Sequence, residues 1–340
     1  MFQDHSHLLV DPYSHEVLEL HIFQAENDNI LDGIFINPTT QIIYPIISGV
    51  PIFIKNRIPE QFFIKHKVGI LAHIRDEAFV LKQLSQEKKV FSFSKEWEIA
   101  HKDNAQKIWG IPLDERLQIH YTDTDTSESD QEGKLILDVG CGNGILCKAL
   151  GEKGAKVYAI DYSTSVWNAQ ERMSHKNVCY IQADLHFLPF KNETFDIVYS
   201  NGVLHHTPNT ENAFNQVASK VKTGGKYYVW LYKRGDTLKF NTFLYVTDGL
   251  RFVVNKLPDS IQENIIEFLV RLKIRFNKSK GRHEDTDVIR TDWYDTLTPT
   301  YKYYHTFEEA EKWFSKNKFT NIRQTHKNIY GIGILGEKAF

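Results

Sequence analysis

The chain has 340 residues, of which 41% are hydrophobic and 25% are charged, and these are the proportions of an ordinary globular protein. This length is sufficient for one large domain or two smaller ones, each with a full core. The formal net charge of −2 excludes a general electrostatic attraction to nucleic acid or to anionic membranes.

The cysteine content and the distribution of apolar residues indicate the compartment. The three cysteines, Cys141, Cys147 and Cys179, have neither zinc-ligand nor C-x-x-C spacing. A sparse, odd number of thiols is typical of a reducing compartment, so we expect a cytoplasmic protein. The N-terminus lacks the basic start and apolar core of a signal peptide. No apolar run reaches the roughly 20 residues of a membrane span, and we expect none.

Residues 1–56 form a predicted small β module. Apolar runs at 17–20 and 30–36 indicate strands, and NPTT at 37–40 indicates a turn. The run IIYPIISGVPIFI at 42–54 predicts two short strands around a Ser-Gly turn. The histidines of this module have no standard metal-ligand spacing, and we expect no metal.

Two regions of different composition follow the β module. Residues 57–121 predict a mostly helical region, because apolar residues recur there with an uneven helical period. Residues 122–133, TDTDTSESDQEG, hold five acids and no base or large apolar side chain. This composition predicts an exposed, mobile linker and a boundary before a core that begins at residue 134.

The core opens with LILDVGCGNGILCKAL at 135–150, which predicts a buried strand, a glycine turn and a helix. Gly140, Gly142 and Gly144 allow positive φ angles and let a ligand lie directly against the main chain. The amide groups that begin the helix point towards the same place.

Three further apolar runs end in polar residues. The run at 157–160 ends at Asp161, an acid placed to accept hydrogen bonds from a ribose diol. The run at 178–181 leads to Asp184, which is placed to receive the amine of an adenine. The run at 195–200 leads to Asn201. Strands that alternate with helices predict a parallel sheet with its ligands at the carboxyl ends of the strands.

The order of the four blocks DVGCGNG, AID, QADLHFLPF and FDIVYSNGVLHH resembles the class I S-adenosylmethionine-dependent methyltransferase family. The spacing G-x-G-x-G differs from the G-x-G-x-x-G of dinucleotide sites. The resemblance covers residues 134–232 and implies a Rossmann-like, doubly wound α/β sheet in a domain at 134–340. It also implies S-adenosylmethionine as the cofactor and S-adenosylhomocysteine as the product.

The resemblance implies a role for each matching position. Asp138 and the glycine turn would hold the methionine part of the cofactor, and Asp161 would bind the ribose hydroxyls. Asp184 would flank the adenine, and the block after the fourth strand would form the wall under the sulfonium. Cys141 is interpreted as a small residue that fits the turn. The expected cofactor-binding residues are Asp138, Gly140, Cys141, Gly142, Gly144, Asp161, Tyr162, Ser163, Ala183, Asp184, Leu185, Asn201, Gly202 and Val203.

The run at 42–54 resembles a small β module at the head of some methyltransferases and in tRNA methyltransferase activator proteins. In many relatives two C-x-x-C pairs of this module bind zinc. Here residues 12–15 and 37–40 stand at the corresponding places without cysteine, so we expect a zinc-free module held by apolar packing. FSFSKEW at 91–97 resembles a segment that covers the cleft in related methyltransferases, with plain tryptophan packing as the alternative.

Residues 234–305 form an insertion that is far longer than an ordinary connection. Helices are predicted at 243–254 and 260–276. The second carries an apolar stripe, which we expect to pack on the core, with a dimer contact or a substrate lid as alternatives. A basic run between Arg271 and Arg282 predicts a solvated helix end, and contact with an anionic substrate or RNA is the alternative. The stripe consists of Ile261, Ile265, Leu269, Leu272 and Phe276.

The C-terminal segment begins with DWYD at 292–295 and continues to HTFEE at 305–309. It resembles the segment that borders the acceptor site in small-molecule methyltransferases. Thr306 and Glu309 predict a capping box at the last helix. Residues 321–327 and 329–335 resemble the antiparallel pair that closes the sheet in this family.

An acceptor hydroxyl or protonated amine needs a base that removes its proton. His206 and His205 follow the fourth strand, and histidine titrates near neutrality, so these two residues are the first candidates. Tyr294, Asp295 and His305 are second candidates. The alternatives are that the two imidazoles only shape the cofactor wall, or that an acceptor already nucleophilic needs no base.

These observations predict an enzyme that transfers a methyl group to the oxygen or nitrogen of a small or medium-sized metabolite. RNA (tRNA) methylation stays open as an alternative, because of the β module and the basic run. A non-catalytic, cofactor-binding partner protein is the second alternative. A homodimer also stays open.

Overall fold

The computed structural model describes residues 1–74, 76–85, 107–108, 111–234, 237–281, 285–328 and 330–339. The aromatic segment at 91–97 and Arg282 of the basic run lie outside these ranges. Eleven strands of the described chain form one sheet, and helices flank it. The predicted α/β class with a doubly wound sheet is therefore confirmed.

The N-terminal residues form an antiparallel meander of β1 (Glu19–Glu26), β2 (Asn29–Ile36), β3 (Ile43–Ile47) and β4 (Val50–Phe53). Ser48 and Gly49 join β3 to β4 with positive φ angles of 49° and 81°, which confirms the predicted turn. Ile34, Ile36 and Ile43 pack against helix α1 (Glu60–His73) and the short helix α2 (Glu77–Leu81).

A buried carboxylate, Asp11, joins the turn at 12–15 to the turn at 37–40. Asp11 Oδ1 accepts from the main-chain nitrogens of Tyr13 and Ser14 at 2.8 and 2.9 Å. Asp11 Oδ2 accepts from Asn37 Nδ2 at 2.9 Å and from the Tyr44 hydroxyl at 3.0 Å. Burial acts to raise the pKa of Asp11, but these hydrogen bonds hold it below its usual value. The module is thus held by a polar network in addition to the expected apolar packing.

A short hairpin of β5 (Lys107–Ile108) and β6 (Ile111–Pro112) precedes helix α3 (Leu113–Thr124). The acidic stretch at 122–133 differs from the exposed linker that its composition predicts. Its first residues end α3, where Asp123 and Thr124 are buried and Asp125 closes the helix with a φ of 51°. Gln131 is also buried, and its amide donates locally. Side-chain hydrogen bonds therefore allow a segment without large apolar residues to pack.

Five parallel strands and three helices form the core: β7 (Leu135–Val139), α4 (Ile145–Glu152), β8 (Lys156–Asp161), α5 (Ser165–Met173), β9 (Val178–Ala183), β10 (Phe195–Asn201), α6 (Thr210–Ala218) and β11 (Val221–Tyr232). Their spatial order is β9-β8-β7-β10-β11, so the direction of winding reverses between β7 and β10. The strands are largely buried on both faces, which explains their continuous apolar runs. Ligands of doubly wound sheets bind at such a reversal.

The insertion after β11 consists of α7 (Leu238–Val254), α8 (Asp259–Ser279) and α9 (Thr286–Leu297). The first two confirm the predicted helices, whereas α9 was not predicted. All three helices contribute to a separate apolar cluster, with Val254 from α7, Ile266 from α8, and Ile289 and Leu297 from α9.

The apolar stripe of α8 lies differently from the prediction. Ile266 and Val270, which are not part of the stripe, are the fully buried apolar residues of this helix. Ile261, Leu272 and Phe276 are exposed. The expectation that the stripe packs on the core is therefore wrong for these three residues, whereas the stripe residues Ile265 and Leu269 pack against the cluster between the insertion helices.

The last elements are helix α10 (Phe307–Lys316) and strands β12 (Phe319–Lys327) and β13 (Gly331–Lys338). Thr306 Oγ1 accepts from the Glu309 nitrogen at 3.2 Å, and Glu309 Oε2 accepts from the Thr306 nitrogen at 3.2 Å, which confirms the capping box. β13 is antiparallel to β11 and β12, as predicted.

The complete sheet has the order β1-β2-β3-β4-β9-β8-β7-β10-β11-β13-β12, with β4 parallel to β9. Helices α3, α4 and α5 cover one face of its core, and α6 and α10 cover the other. In the ranges that the structure describes, no helix combines the length and the apolar character needed to cross a bilayer.

Candidate active site

A cavity of about 970 Å³ lies at the carboxyl ends of the parallel strands and extends under the insertion. One half is lined by the residues that follow β7, β8, β9 and β10. The other half is lined by side chains of β11, α7, α9 and the segment between α9 and α10. The cavity therefore has one part at the reversal of the sheet and a second part that the insertion shapes.

The glycine turn after β7 forms the floor of the first half. Gly140, Gly142 and Gly144 have φ angles of 84°, 53° and 72°, which other residues rarely adopt. A Cβ on Gly140 would lie 2.1 Å from Val203 Cγ2, so the two segments approach as closely as glycine allows. The Gly140 and Cys141 nitrogens donate to the Ile160 carbonyl at 2.7 and 3.0 Å. Gly140, Cys141 and Asn143 of this turn line the cavity, whereas Gly142 and Gly144 are not among its lining residues in the described chain.

Asp138 is a buried carboxylate at the end of β7 that lines the cavity. Its Oδ2 accepts from Cys147 Sγ at 3.0 Å. Burial raises the pKa of Asp138 to about 6, against smaller opposing effects of this hydrogen bond and of Arg116. A cation bound beside this carboxyl would favour its ionised form.

Asp161, at the end of β8, connects the glycine turn to the following loop. Its Oδ2 accepts from the Gly142 nitrogen at 3.1 Å, and its Oδ1 accepts from the Ser163 nitrogen and hydroxyl at 2.9 and 2.7 Å. Burial nevertheless raises the pKa of Asp161. Ser163 thus supports Asp161, and its hydroxyl also accepts from the nitrogen of Ser165, the first residue of α5, at 3.3 Å. Tyr162 lines the cavity beside them.

Asp184 follows β9 and lines the cavity together with Ala183 and Leu185. Its Oδ1 accepts from the main-chain nitrogen of His186 and lies 2.9 Å from His186 Nδ1. Burial acts to raise the pKa of Asp184, but the bonds from His186 outweigh it and lower the pKa. This acid is therefore held in its ionised form.

Arg116 of α3 reaches the end of β10, although the sequence analysis did not single it out. The Asn201 amide, oriented with its oxygen towards Arg116, accepts from Nη1 at 3.2 Å and from Nη2. Nη2 also donates to the Tyr199 hydroxyl at 3.1 Å. Gly202 follows with a φ of 81°. A cation thus lines the cavity near Asp138, and no local pattern in α3 identifies it.

His206 lies where the two halves of the cavity meet. Its Nδ1 donates to the Tyr301 carbonyl at 3.0 Å, and its Nε2 lies 3.2 Å from Asp295 Oδ1. Asp295 Oδ2 accepts from the Tyr232 hydroxyl. Burial acts to raise the pKa of Asp295, but His206, Lys302 and Tyr232 together lower it to about 2. The structure therefore brings His206 and the second candidate, Asp295, into direct contact.

Lys302 and aromatic side chains surround this pair. Lys302 Nζ lies 4.7 Å from the centre of the Tyr232 ring, and burial lowers the pKa of Lys302 although Asp295 acts to raise it. Trp230, Phe240 and Tyr304 line the same part of the cavity. The second half therefore combines apolar walls with charged groups, which are His206 with Asp295, Asp292, and the ammonium groups of Lys302 and Lys273.

The other three catalytic candidates lie outside this part of the cavity lining in the described chain. His205 is fully buried, its Nδ1 accepts from the Tyr232 nitrogen at 3.4 Å, and burial depresses its pKa well below the usual value. Tyr294 is buried in the cluster between the insertion helices. His305 Nδ1 lies 3.3 Å from Glu309 Oε2, and burial lowers its pKa. The structure thus assigns these side chains to packing and to the helix cap.

A family model described as "Methyltransferase domain" matches residues 137–229. The ubiquinone biosynthesis O-methyltransferase of Coxiella burnetii (strain RSA 493 / Nine Mile phase I) is 32% identical over 130 residues, which are 37% of this chain and 54% of that protein. An uncharacterized methyltransferase of Mycobacterium tuberculosis (strain CDC 1551 / Oshkosh) is 35% identical over 93 residues, which are 27% of this chain and 47% of that protein. The chain thus spans about half the length of these curated relatives.

Among solved structures, that of magnesium protoporphyrin IX methyltransferase from Synechocystis PCC 6803 with bound SAH is 18% identical in sequence. The likeness covers 72% of this chain and 93% of that chain, with a TM-score of 0.43. The match of the family model begins within β7, includes the glycine turn, Asp161, Asp184 and His206, and ends within β11. Residues 137–229 therefore form a methyltransferase domain.

Proposed function

We propose that this protein is an S-adenosylmethionine-dependent methyltransferase that acts on a hydroxyl group of a small or medium-sized acceptor. One observation carries the proposal. A glycine cradle with three carboxylates opens into the same cavity as the His206–Asp295 pair. Curated relatives named ubiquinone biosynthesis O-methyltransferase, which are similar over the shared segment, are consistent with this chemistry.

The residues of the first half fit the cofactor. The Gly140 cradle, which a Cβ would fill, admits a ligand against the main chain, and Asp138 is placed to bind its ammonium group. Asp161 is placed to accept from the ribose hydroxyls, and Asp184 to accept from the adenine amine. We also assign Arg116 to the carboxylate of the methionine part, because a guanidinium matches a carboxylate geometrically. When bound, the cofactor supplies a methyl group on a positively charged sulfur.

His206 is the proposed proton acceptor. The Tyr301 carbonyl can only accept, so it fixes a proton on Nδ1 and leaves Nε2 as the basic nitrogen. Asp295 beside Nε2 stabilises the positive charge that the ring gains when it takes the acceptor's proton. The remaining task of the protein is alignment, because in-line displacement needs the reacting atoms about 3–3.5 Å apart. The aromatic walls of the second half are placed to hold the acceptor.

Calorimetric titration of the full chain with S-adenosylmethionine and, separately, with NAD tests the proposal. We expect micromolar binding of the first and none of the second. Asp161→Ala should weaken binding of S-adenosylmethionine by about 10- to 100-fold, because the ribose hydroxyls lose a charged acceptor. Asp196→Ala is the matched control, since Asp196 lies at the opposite end of β10 and bonds to the Leu135 nitrogen. Equal affinities of the two variants would show that the ribose assignment is wrong.

A further inference from the structure

The insertion exposes an unusual amount of apolar surface. Half of the large apolar side chains that are exposed in the described chain lie on α7 and α8. Exposed apolar residues scattered singly are normal, but a concentration of them indicates a binding surface. We call these residues the outer face of the insertion: Leu238, Phe243, Tyr245, Val246, Leu250, Phe252 and Val253 on α7, and Ile261, Phe268, Leu272 and Phe276 on α8.

Helix α7 has the reverse of the usual polarity for a helix on a protein surface. Thr247 is buried, and Asp248 and Arg251 are partly covered. Arg251 donates to the Pro299 carbonyl at 3.0 Å. The exposed side chains of α7 that the structure describes are apolar, apart from Thr242 and Gly249. A helix that faces only water carries its polar residues outwards, so this one is built to meet an apolar environment.

Helix α8 combines apolar and cationic residues on its exposed side. Phe268, Leu272 and Phe276 are exposed, and Arg271 and Arg275 lie beside them on the helix surface. Two lysines stand over exposed rings, with Lys256 Nζ 3.4 Å from the centre of the Phe252 ring and Lys280 Nζ 4.4 Å from that of Phe276. The exposed charged residues from 255 to 280 are Lys256, Asp259, Arg271, Arg275, Lys278 and Lys280.

The positive charge of the outer face indicates which kind of partner it binds. A second copy in a two-fold dimer would bring the cationic patches of both copies together, which is unfavourable. Single-stranded RNA binds through stacking on aromatic rings, whereas much of the outer face is aliphatic, as in Leu238, Val246 and Leu272. An anionic lipid surface offers both an apolar layer and opposite charge, and the mixture of aliphatic, aromatic and basic side chains on α8 is typical of interfacial helices.

We propose that the outer face of the insertion binds the surface of an anionic lipid bilayer, with α7 and α8 in the plane of the interface. The four residues between these helices keep Phe252, Val253 and Ile261 close together at one end of the pair. Phe243 is 52% exposed and also lines the cavity. The bound surface therefore adjoins the cavity, and an apolar acceptor would pass from lipid to the site, a step that rests on the proposed function.

Flotation of the full chain with vesicles tests the lipid-binding surface independently of methyl transfer. The vesicles contain phosphatidylcholine alone or phosphatidylcholine with phosphatidylglycerol at 7:3. We expect binding to the anionic vesicles, at least tenfold weaker binding to the neutral ones, and weaker binding in high salt. Two double variants, Phe252→Ser with Phe268→Ser and Arg271→Glu with Arg275→Glu, should each reduce the bound-to-free ratio at least tenfold.

Matched controls distinguish binding through this surface from non-specific adsorption of exposed apolar residues. Ile64→Ser with Val68→Ser replaces equally exposed apolar residues of α1, which are 67% and 87% exposed against 62% and 60% for Phe252 and Phe268. This variant and Lys312→Glu should bind vesicles as the unaltered chain does. Circular dichroism checks that each variant is folded.

Three outcomes would overturn the proposal. The folded chain would fail to bind anionic vesicles, RNA would displace the chain from the vesicles, or the Phe252→Ser and Phe268→Ser variant would only convert a dimer to a monomer. Calorimetry with S-adenosylmethionine reports on the proposed function separately.

Discussion

At the scale of single residues, burial and position decide which of several similar side chains serve the cavity. Asp138 and Asp184 both end parallel strands and both line the cavity, yet burial raises the pKa of Asp138 and His186 lowers that of Asp184. The sequence places both acids at strand ends. It does not distinguish their ionisation, because the difference arises from neighbours that only the fold brings together.

Asp138→Asn should stabilise the unliganded protein at neutral pH. The Asp138 carboxyl loses its proton near pH 3.8 in the unfolded chain and near pH 6 in the folded one. Stability of the unaltered protein therefore falls as pH rises through this window. The variant avoids this loss, so its free energy of unfolding should be higher by about 1–3 kcal/mol at pH 7, with no difference below pH 4. Urea unfolding at several pH values measures this.

Asp184→Asn should change the stability in the opposite direction to Asp138→Asn. The lowered pKa of Asp184 means that its carboxylate stabilises the folded state above the unfolded pKa, and that this stabilisation is lost as pH falls. The variant should therefore be less stable than the unaltered protein at pH 7 and equal to it in acid. The same sign for both variants would contradict the assignment of Asp138 as a carboxyl whose pKa burial raises.

His206→Ala should lower kcat by about 100-fold with a smaller change in KM, as expected when a general base is lost. His305→Gln should leave kcat within about twofold, because the His305 ring lies at the helix cap and packs 4.9 Å from the Trp313 ring. Transfer of labelled methyl groups to a panel of small and medium-sized acceptors with hydroxyl groups measures both variants. If His206→Ala keeps full activity, the acceptor needs no base and the imidazole only shapes the cavity wall.

At the scale of elements, sequence patterns correctly predicted the helices and strands that are stabilised by contacts between residues close in the sequence. The capping box of α10 needs only Thr306 and Glu309, and both hydrogen bonds are present. The strands of the core are continuous apolar runs, so their existence followed from the sequence. Helix α9, TDVIRTDWYDTL, has no clear period, because it packs against both α7 and α8 and also lines the cavity. Its helical form depends on these neighbours.

Thr306→Ala should destabilise the protein by about 1 kcal/mol, because the Glu309 nitrogen at the start of α10 loses its acceptor. Thr242→Ala is the control. Thr242 is exposed to solvent and lies away from the ends of α7, and its hydroxyl donates to the Leu238 carbonyl. We expect its replacement to change the free energy of unfolding by less than about 0.5 kcal/mol. Urea unfolding of both variants measures the difference. Equal losses would mean that the cap adds nothing beyond a general effect of removing threonine.

Arg116 and the stripe of α8 show where local patterns were insufficient. In the sequence, Arg116 belongs to an ordinary helix with acidic neighbours, and only the packing of α3 across the sheet brings it to Asn201. The stripe of α8 has the spacing of a buried face. Periodicity reports which residues share a face, but it does not report whether that face meets the core, a partner or a membrane.

At the scale of the whole molecule, the N-terminal module is part of the main sheet. β4 pairs with β9 through Ile52 and Gln182, so the module covers an edge of the strand that Asp184 follows. The sequence analysis treated residues 1–56 as a separate unit, since nothing in a local run of residues specifies a partner strand that is more than 120 positions away.

Removal of residues 1–56 should therefore impair the cofactor site as well as the module. The shortened chain would expose the β9 edge, and uncovered edges promote aggregation. We expect a loss of soluble protein, and at least tenfold weaker binding of S-adenosylmethionine in any soluble fraction. Size-exclusion chromatography and calorimetry measure the two effects. A monomeric fragment with unchanged affinity would instead establish the module as an independent domain.

The pairing of β4 with β9 also has a consequence for the order in which the protein folds during synthesis. The meander from β1 to β4 leaves the ribosome long before its neighbour in the sheet exists, because Ala183, which pairs with Phe53, is made 130 residues later. During that interval the inner edge of β4 is uncovered and able to pair with other nascent chains. Helices α1 and α2, which are made next and pack on the meander, bury one of its faces in the meantime, but only the arrival of β9 covers the edge.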